Sequence, residues 1–303
     1  MNPARQADNE GLVRVGLLLK RGKPEALEIA RELCTFLGAR NVEAWVVGNH
    51  NDPALGARAV GEDELSERID LLVVLGGDGT LLHGAELVAD RGIPILGVNL
   101  GHLGFLTSCP PAEALATLAA ALDGKLVQEE RMRLRVELIR ESGAVTVAWA
   151  CNDVVVSQSV ARLMDLEARL DGKLVSTYRA DGLIVSTPTG STAYNLAAGG
   201  PILTPDLQVM VLTPICPHTL AHRPLVVAAT SRMTIRLAAP ARDVLLTVDG
   251  QAIDGLGDHD LVEVHAASRP LKLYLPWHTS YFDILREKLQ WGGRLGPSDS
   301  RGR

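Results

Sequence analysis

Two stretches of the 303-residue chain concentrate the residue types that chemistry on phosphates and hydroxyls needs. The first is Gly76-Gly77-Asp78-Gly79-Thr80, where a buried apolar run ends and a helical pattern starts. Glycines permit the sharp turn. A helix N-terminus offers N–H groups and a positive dipole end to a phosphate. Gly76, Gly77, Gly79 and Thr80 are therefore a candidate phosphate-binding loop. Asp78 suits that role poorly, because a carboxylate repels phosphate. It can cap the helix, bind magnesium, or accept a proton from a hydroxyl nucleophile. Neither common nucleotide fingerprint is present. Gly124-Lys125 and Gly172-Lys173 are followed by Leu rather than Ser or Thr, and Leu82 stands where GxGxxG requires its third glycine.

The second stretch runs from Arg179 to Pro201. Thr187, Thr189, Ser191, Thr192 and Tyr194 crowd their hydroxyls around Pro188 and Gly190, and the small residues Ala197-Ala198-Gly199-Gly200 follow. Hydroxyl side chains also solve turns locally, but a small-residue run lets a ligand approach the backbone. Arg179 and Asp181 straddle a strand start, and Asp181 can accept from an amide or hydroxyl. Other residues carry plainer readings. His83, His102, His218 and His222 form no metal spacing with any cysteine. Cys34, Cys109, Cys151 and Cys216 contain no CxxC and read as reduced thiols. Cys151 has no indicated histidine partner and reads as a buried structural thiol. Arg131, Arg133 and Arg135 read as one polar strand face, solvated or at a subunit contact. Asp249, in Val248-Asp249-Gly250-Gln251, reads as a hairpin turn.

The elements that must position these residues fall into two kinds. Apolar runs at 13–19, 42–47, 70–75 and 93–98 alternate with helical spacing at 24–38 and 81–91. That rhythm predicts a Rossmann-like parallel sheet with helices on its faces. From Arg131 the period becomes two, with Met132, Leu134, Val136 and Leu138 alternating with polar residues. Short runs then recur at 145–150, 153–157, 164–170, 183–187, 209–213, 225–228, 233–238, 244–248, 261–265 and 271–275. Glycine and proline punctuate them, which predicts a sandwich-like β domain. The expected division is 11–126 for the α/β domain, with 277–292, helical over 281–291, returning to it, and 127–276 for the β-rich domain. A helix at 111–122 joins them, and 1–10 and 293–303 read as flexible tails.

Composition limits the partners. The net charge of −6 disfavours a general nucleic-acid binder. With 29 Gly and 16 Pro against 3 Phe, 4 Trp and 4 Tyr, the chain suits tight backbone loops better than base-stacking surfaces. No apolar run is long enough to span a membrane, and the N-terminus lacks a signal-peptide pattern. A cytoplasmic protein without nucleic-acid or membrane partners is the expectation.

GGDGT at 76–80, NLGHLGFLT at 99–107, CND at 151–153 and RADGLIVSTPTGSTAYNLAAGGPILTP at 179–205 resemble bacterial NAD kinases. PHTLAHRPLVV at 217–227 and DGQ at 249–251 extend the likeness, which covers 13–291. The resemblance implies ATP-dependent phosphorylation of the adenosine ribose 2′-hydroxyl of NAD, giving NADP and ADP. It implies a divalent cation, Mg2+, and a homodimer or homotetramer that completes its sites across subunits. Carried over by position, Asp78 resembles the catalytic base and Gly79 sits beside it on the dinucleotide. Asn152 and Asp153 match an Asn-Glu pair that holds ribose and amide groups. Arg162, Arg179, Asp181, Gln251 and the run Thr192, Ala193, Tyr194, Asn195, Leu196 and Ala197 match further NAD contacts. The chain departs from the family at Asp153, where Glu is usual. Both substrates are anionic and so is the chain, so local donors must neutralise phosphate charge: the Gly-loop N–H groups, the metal and, unless it only forms a surface ion pair, Arg223.

Overall fold

A computed structural model describes residues 14–48, 55–158, 162–276 and 280–291; the tails expected at 1–10 and 293–303 lie outside the described residues. The chain forms two compact units, one running to Glu129 and resuming at Lys272, the other Glu130–Leu271.

The first unit begins with β1 (Arg14–Leu19), α1 (Pro24–Ala39), β2 (Glu43–Val47), β3 (Arg58–Val60), α2 (Glu62–Arg68), β4 (Leu71–Gly76), α3 (Asp78–Val88), β5 (Ile95–Asn99), α4 (Ala114–Leu122) and β6 (Gln128–Arg131). β1 and β4 are almost wholly buried, as strands covered on both faces must be. Pro24 stands at the start of α1, where its fixed φ suits the first turn. The side chains of Ala30, Leu33 and Leu37 then pack into a core with Leu17, Val73, Leu75 and Leu118.

The second unit holds β7 (Leu134–Ile139), β8 (Val145–Ala150), β9 (Asp153–Gln158), β10 (Met164–Leu170), β11 (Lys173–Ala180), β12 (Gly182–Ser186), the single turn α5 (Tyr194–Ala197), β13 (Val209–Ile215), β14 (Leu225–Ala228), β15 (Met233–Leu237), β16 (Val244–Val248), β17 (Gln251–Gly255) and β18 (Leu261–Ala266). Two six-stranded sheets run β11-β10-β15-β18-β7-β8 and β14-β13-β12-β9-β16-β17. Their facing side chains, among them Leu134, Val136, Leu166, Val154, Val156 and Leu183, form one core. This is the expected sandwich-like arrangement.

The chain returns to the first unit as β19 (Leu271–Tyr274) and α6 (Tyr281–Leu289). β19 pairs in parallel with β5, Leu273 opposite Ile95, and the sheet order is β3-β2-β1-β4-β5-β19-β6. The run at 271–275, grouped by pattern with the sandwich, thus belongs to the parallel sheet. A four-residue apolar strand has no period by which to tell the two apart. The strand expected across 131–139 is two strands. Arg131 and Arg133 are 4% and 2% exposed rather than on a solvated face, and the Arg133 Nε donates to the Arg269 carbonyl at 3.1 Å.

Candidate functional site

In the first unit Asp78 opens α3, directly after the buried β4. Its carboxylate does not cap that helix. It turns to the loop after β5 and accepts four hydrogen bonds. Oδ2 accepts from Phe105 N–H at 2.8 Å. Oδ1 accepts from Leu106 N–H at 3.2 Å, Thr107 N–H at 3.0 Å and Thr107 Oγ1 at 2.9 Å. A Cβ at Gly104 would overlap the Asp78 carboxylate, so only glycine admits this approach. The loop is shaped from below by Asn99, which is buried. Its Nδ2 donates to the His102 and Thr107 carbonyls at 2.7 and 3.0 Å, and its Oδ1 accepts from Gly101 N–H at 2.7 Å. From outside, α6 braces Phe105: the Tyr281 ring lies 6.2 Å away, and Lys288 Nζ lies 5.3 Å from the Phe105 ring centroid. Of the candidate phosphate loop, Gly76 is buried against Thr80, Gly77 is half-buried and Gly79 is exposed at the helix start.

In the second unit the hydroxyl-rich loop is tied to the Asn152–Asp153 pair. Ser186 lies opposite Asp153 across β12 and β9. The Thr187 hydroxyl donates to the Cys151 carbonyl at 2.6 Å, and its N–H donates to the Asn152 carbonyl at 2.9 Å. A Cβ at Gly190 would overlap the Asn152 backbone. Asp153 is 5% exposed. Burial, and secondarily the charge of Asp249, push its carboxyl up to about 7, opposed by the Tyr194 N–H that donates to it. Tyr194 presents its ring to solvent. Asn195 does the reverse: its amide donates to the Ser191 and Pro201 carbonyls and accepts from the Thr213 hydroxyl at 2.6 Å, so its buried side chain serves the fold. The Thr192 hydroxyl donates to the Thr189 carbonyl at 3.3 Å. Ala193, Leu196 and Ala197 lie on the same turn, and Gln251 starts β17 beside the Asp249 turn.

Arg179 and Asp181 stand at the far end of β12 from Asp153. Five residues of strand span about 17 Å, so one chain does not gather them with Asn152 and Asp153. Asp165 lies opposite Arg179. Arg162 is exposed and lines a cleft of about 440 Å³ with Gln158, Asp165 and Arg242. Arg223 is exposed. Among the described residues no three His, Cys, Asp or Glu side chains gather as metal ligands. Cys151 is a buried thiol outside any disulfide, as expected. Sequence reasoning missed the Phe105–Thr107 amides, because backbone donors leave no mark on residue type.

The family model described as the ATP-NAD kinase N-terminal domain matches residues 15–126, and that of the ATP-NAD kinase C-terminal domain matches residues 151–275. The chain is 43% identical over 285 residues to an NAD kinase of Geotalea daltonii, covering 93% of this chain and 99% of the other. It is 45% identical over 283 residues to an NAD kinase of Moorella thermoacetica, covering 92% and 90%. Its structure is similar to that of yeast NADH kinase complexed with NADH, with TM-score 0.84, 28% identity and coverage of 96% and 91%. It is also similar to an NAD kinase from Archaeoglobus fulgidus in complex with ATP, with TM-score 0.68, 25% identity and coverage of 91% and 98%.

Proposed function

The chain belongs to the ATP-NAD kinase family, and from that premise we propose how its residues carry the reaction. The enzyme phosphorylates NAD with ATP, giving NADP and ADP. In our reading the acceptor is the 2′-hydroxyl of the adenosine ribose and Asp78 is the general base. That hydroxyl is a poor nucleophile, and a carboxylate that takes its proton as the bond to phosphorus forms gains ~10²–10⁴-fold. The observation that carries this assignment is the grip on Asp78. Among the described residues Oδ1 accepts from three donors and Oδ2 from Phe105 N–H alone, so in our reading Oδ2 is the oxygen that takes the proton.

The N-terminal end of α3, with Gly76, Gly77, Gly79 and Thr80, faces phosphate charge. Asn152, Asp153, Tyr194, Gln251 and the backbone of 192–197 hold the dinucleotide, with Asp153 accepting from ribose hydroxyls in place of the longer Glu. No three His, Cys, Asp or Glu side chains among the described residues gather to hold a metal; bound with the donor nucleotide, Mg2+ would neutralise phosphate charge. Arg162, Arg179 and Asp181 contact NAD in an assembled homodimer or homotetramer, a reading supported by the distance between the two ends of β12. The four cysteines, none in a disulfide, support a cytoplasmic location.

Purified protein incubated with ATP, magnesium and NAD, and assayed for NADP, tests the activity. Asp78→Asn tests the base: kcat should fall by ~10² or more while NAD still binds. Near-normal turnover would leave Asp78 as a loop anchor only. The substitution also sets an amide NH2 against a backbone donor, at about 1–3 kcal/mol, so the fold of the variant must be checked by thermal melting.

A further inference from the structure

The turn joining β16 and β17 does more than reverse the chain. Asp249 sits there at φ +48°, in the left-handed region that Asp tolerates better than most residues. Its carboxylate folds back onto the start of β9. Oδ2 accepts from Cys151 N–H at 2.7 Å, and Oδ1 accepts from the Asn152 and Asp153 N–H groups at 2.8 and 3.1 Å. Its own N–H donates to the Asp153 carbonyl at 2.9 Å. A two-residue hairpin needs none of these bonds, since Asn-Gly closes it equally well.

We propose that Asp249 is a positioning residue for the dinucleotide-holding pair, gathering three consecutive amides so that Asn152 and Asp153 present their side chains to NAD, and setting a fixed negative charge beside Asp153. This rests on the reading of Asn152 and Asp153 as dinucleotide contacts. The groups that face Asp153 are few. Asp249 supplies the charge from the hairpin. Tyr194 supplies an N–H from α5. Ser186 lies opposite on β12, its hydroxyl donating to the Asn152 and Thr187 carbonyls. With its carboxyl near 7, Asp153 above neutrality accepts from ribose hydroxyls as a carboxylate, and as pH falls it loses the charge that strengthens those bonds.

The test is steady-state kinetics across pH on the full-length enzyme. Asp249→Asn should raise KM for NAD by about tenfold, the scale of misplacing one charge-assisted contact, and leave KM for ATP within about twofold. Removing the neighbouring charge makes Asp153 more acidic, so the acid limb of kcat/KM for NAD should move to lower pH. Asp249→Glu keeps the charge but lengthens the reach; KM for NAD should rise with the limb in place. If Asp249→Asn does not fold, this second variant decides alone. An unmoved KM for NAD in Asp249→Glu, or an unmoved limb in folded Asp249→Asn, overturns the proposal. Asp153→Asn separates the two readings. A limb that survives Asp153→Asn sinks Asp153 as a dinucleotide contact. A limb that Asp153→Asn abolishes and Asp249→Asn leaves in place sinks only Asp249.

Discussion

A carboxylate with three donors on one oxygen and one on the other is asymmetric in a way that single substitutions can read. Thr107→Val removes the hydroxyl donor from Asp78 Oδ1 and leaves Phe105 N–H on Oδ2. If Oδ2 takes the proton, this variant should lose less than about tenfold in kcat, against ~10² or more for Asp78→Asn. Equal losses would mean that the loop's shape, not Oδ2, carries the effect. Asp153 yields a test on stability. Its carboxyl is pushed up to about 7, above the ordinary value of about 4 in an unfolded chain. The folded state therefore holds its proton more tightly. The stability this gives is fully present below about pH 4 and is lost as pH rises to 7. Asp153→Asn removes the titration, so its Tm relative to the parent should climb between about pH 4 and pH 7 and then level. A constant difference would contradict the raised value. At this scale the motifs were legible because their side chains have distinctive types: Asp78, Asn152, Asp153 and the hydroxyls of 187–194. The partners that hold them were not. Three amides clasp Asp249 and three more clasp Asp78, and an amide is present at every residue except proline.

The strands and helices that carry these groups were legible where burial imposed a period. β1, β4 and β5 are buried runs, α1 repeats its apolar face, and β7 alternates. The missed elements have little to bury. β3 has three residues, α2 buries only Leu65, β11 is largely exposed, and β17 buries nothing. α6 was legible as a helix, but its contact with Phe105, on the loop that donates to Asp78, was not. It starts with Ser280 and Asp283 in a reciprocal capping box, and Tyr281 and Lys288 then reach Phe105. Tyr281→Ala should loosen the 104–107 loop. Amide exchange there should quicken, and kcat should fall several-fold with KM for NAD unchanged, because the lost contact acts on the base rather than on dinucleotide binding. Ser280→Ala, at about 0.5–2 kcal/mol of helix stability, should move both readouts in the same direction and less far. Unchanged exchange at 104–107 in both variants would remove α6 from the catalytic account.

The whole molecule carries −6 while both its substrates are anionic, so net charge supplies no attraction between them, and raising salt should change kcat/KM little. A steep fall with salt would point to an unrecognised cationic funnel. If subunits complete one another's sites, dilution should lower specific activity in step with dissociation measured by light scattering. A fully active monomer would end that reading.

The placement of β19 has a consequence for how the protein is made. The parallel sheet seats residues 271–274 between β5 and β6. A ribosome emitting ~5–20 residues per second delivers β5 roughly ten to thirty-five seconds before the strand that covers its edge. For that interval the nascent sheet shows a bare, apolar edge, the surface most open to pairing with another chain. Synthesis stalled after 126 should yield an aggregating or chaperone-bound product, whereas release after 291 should not.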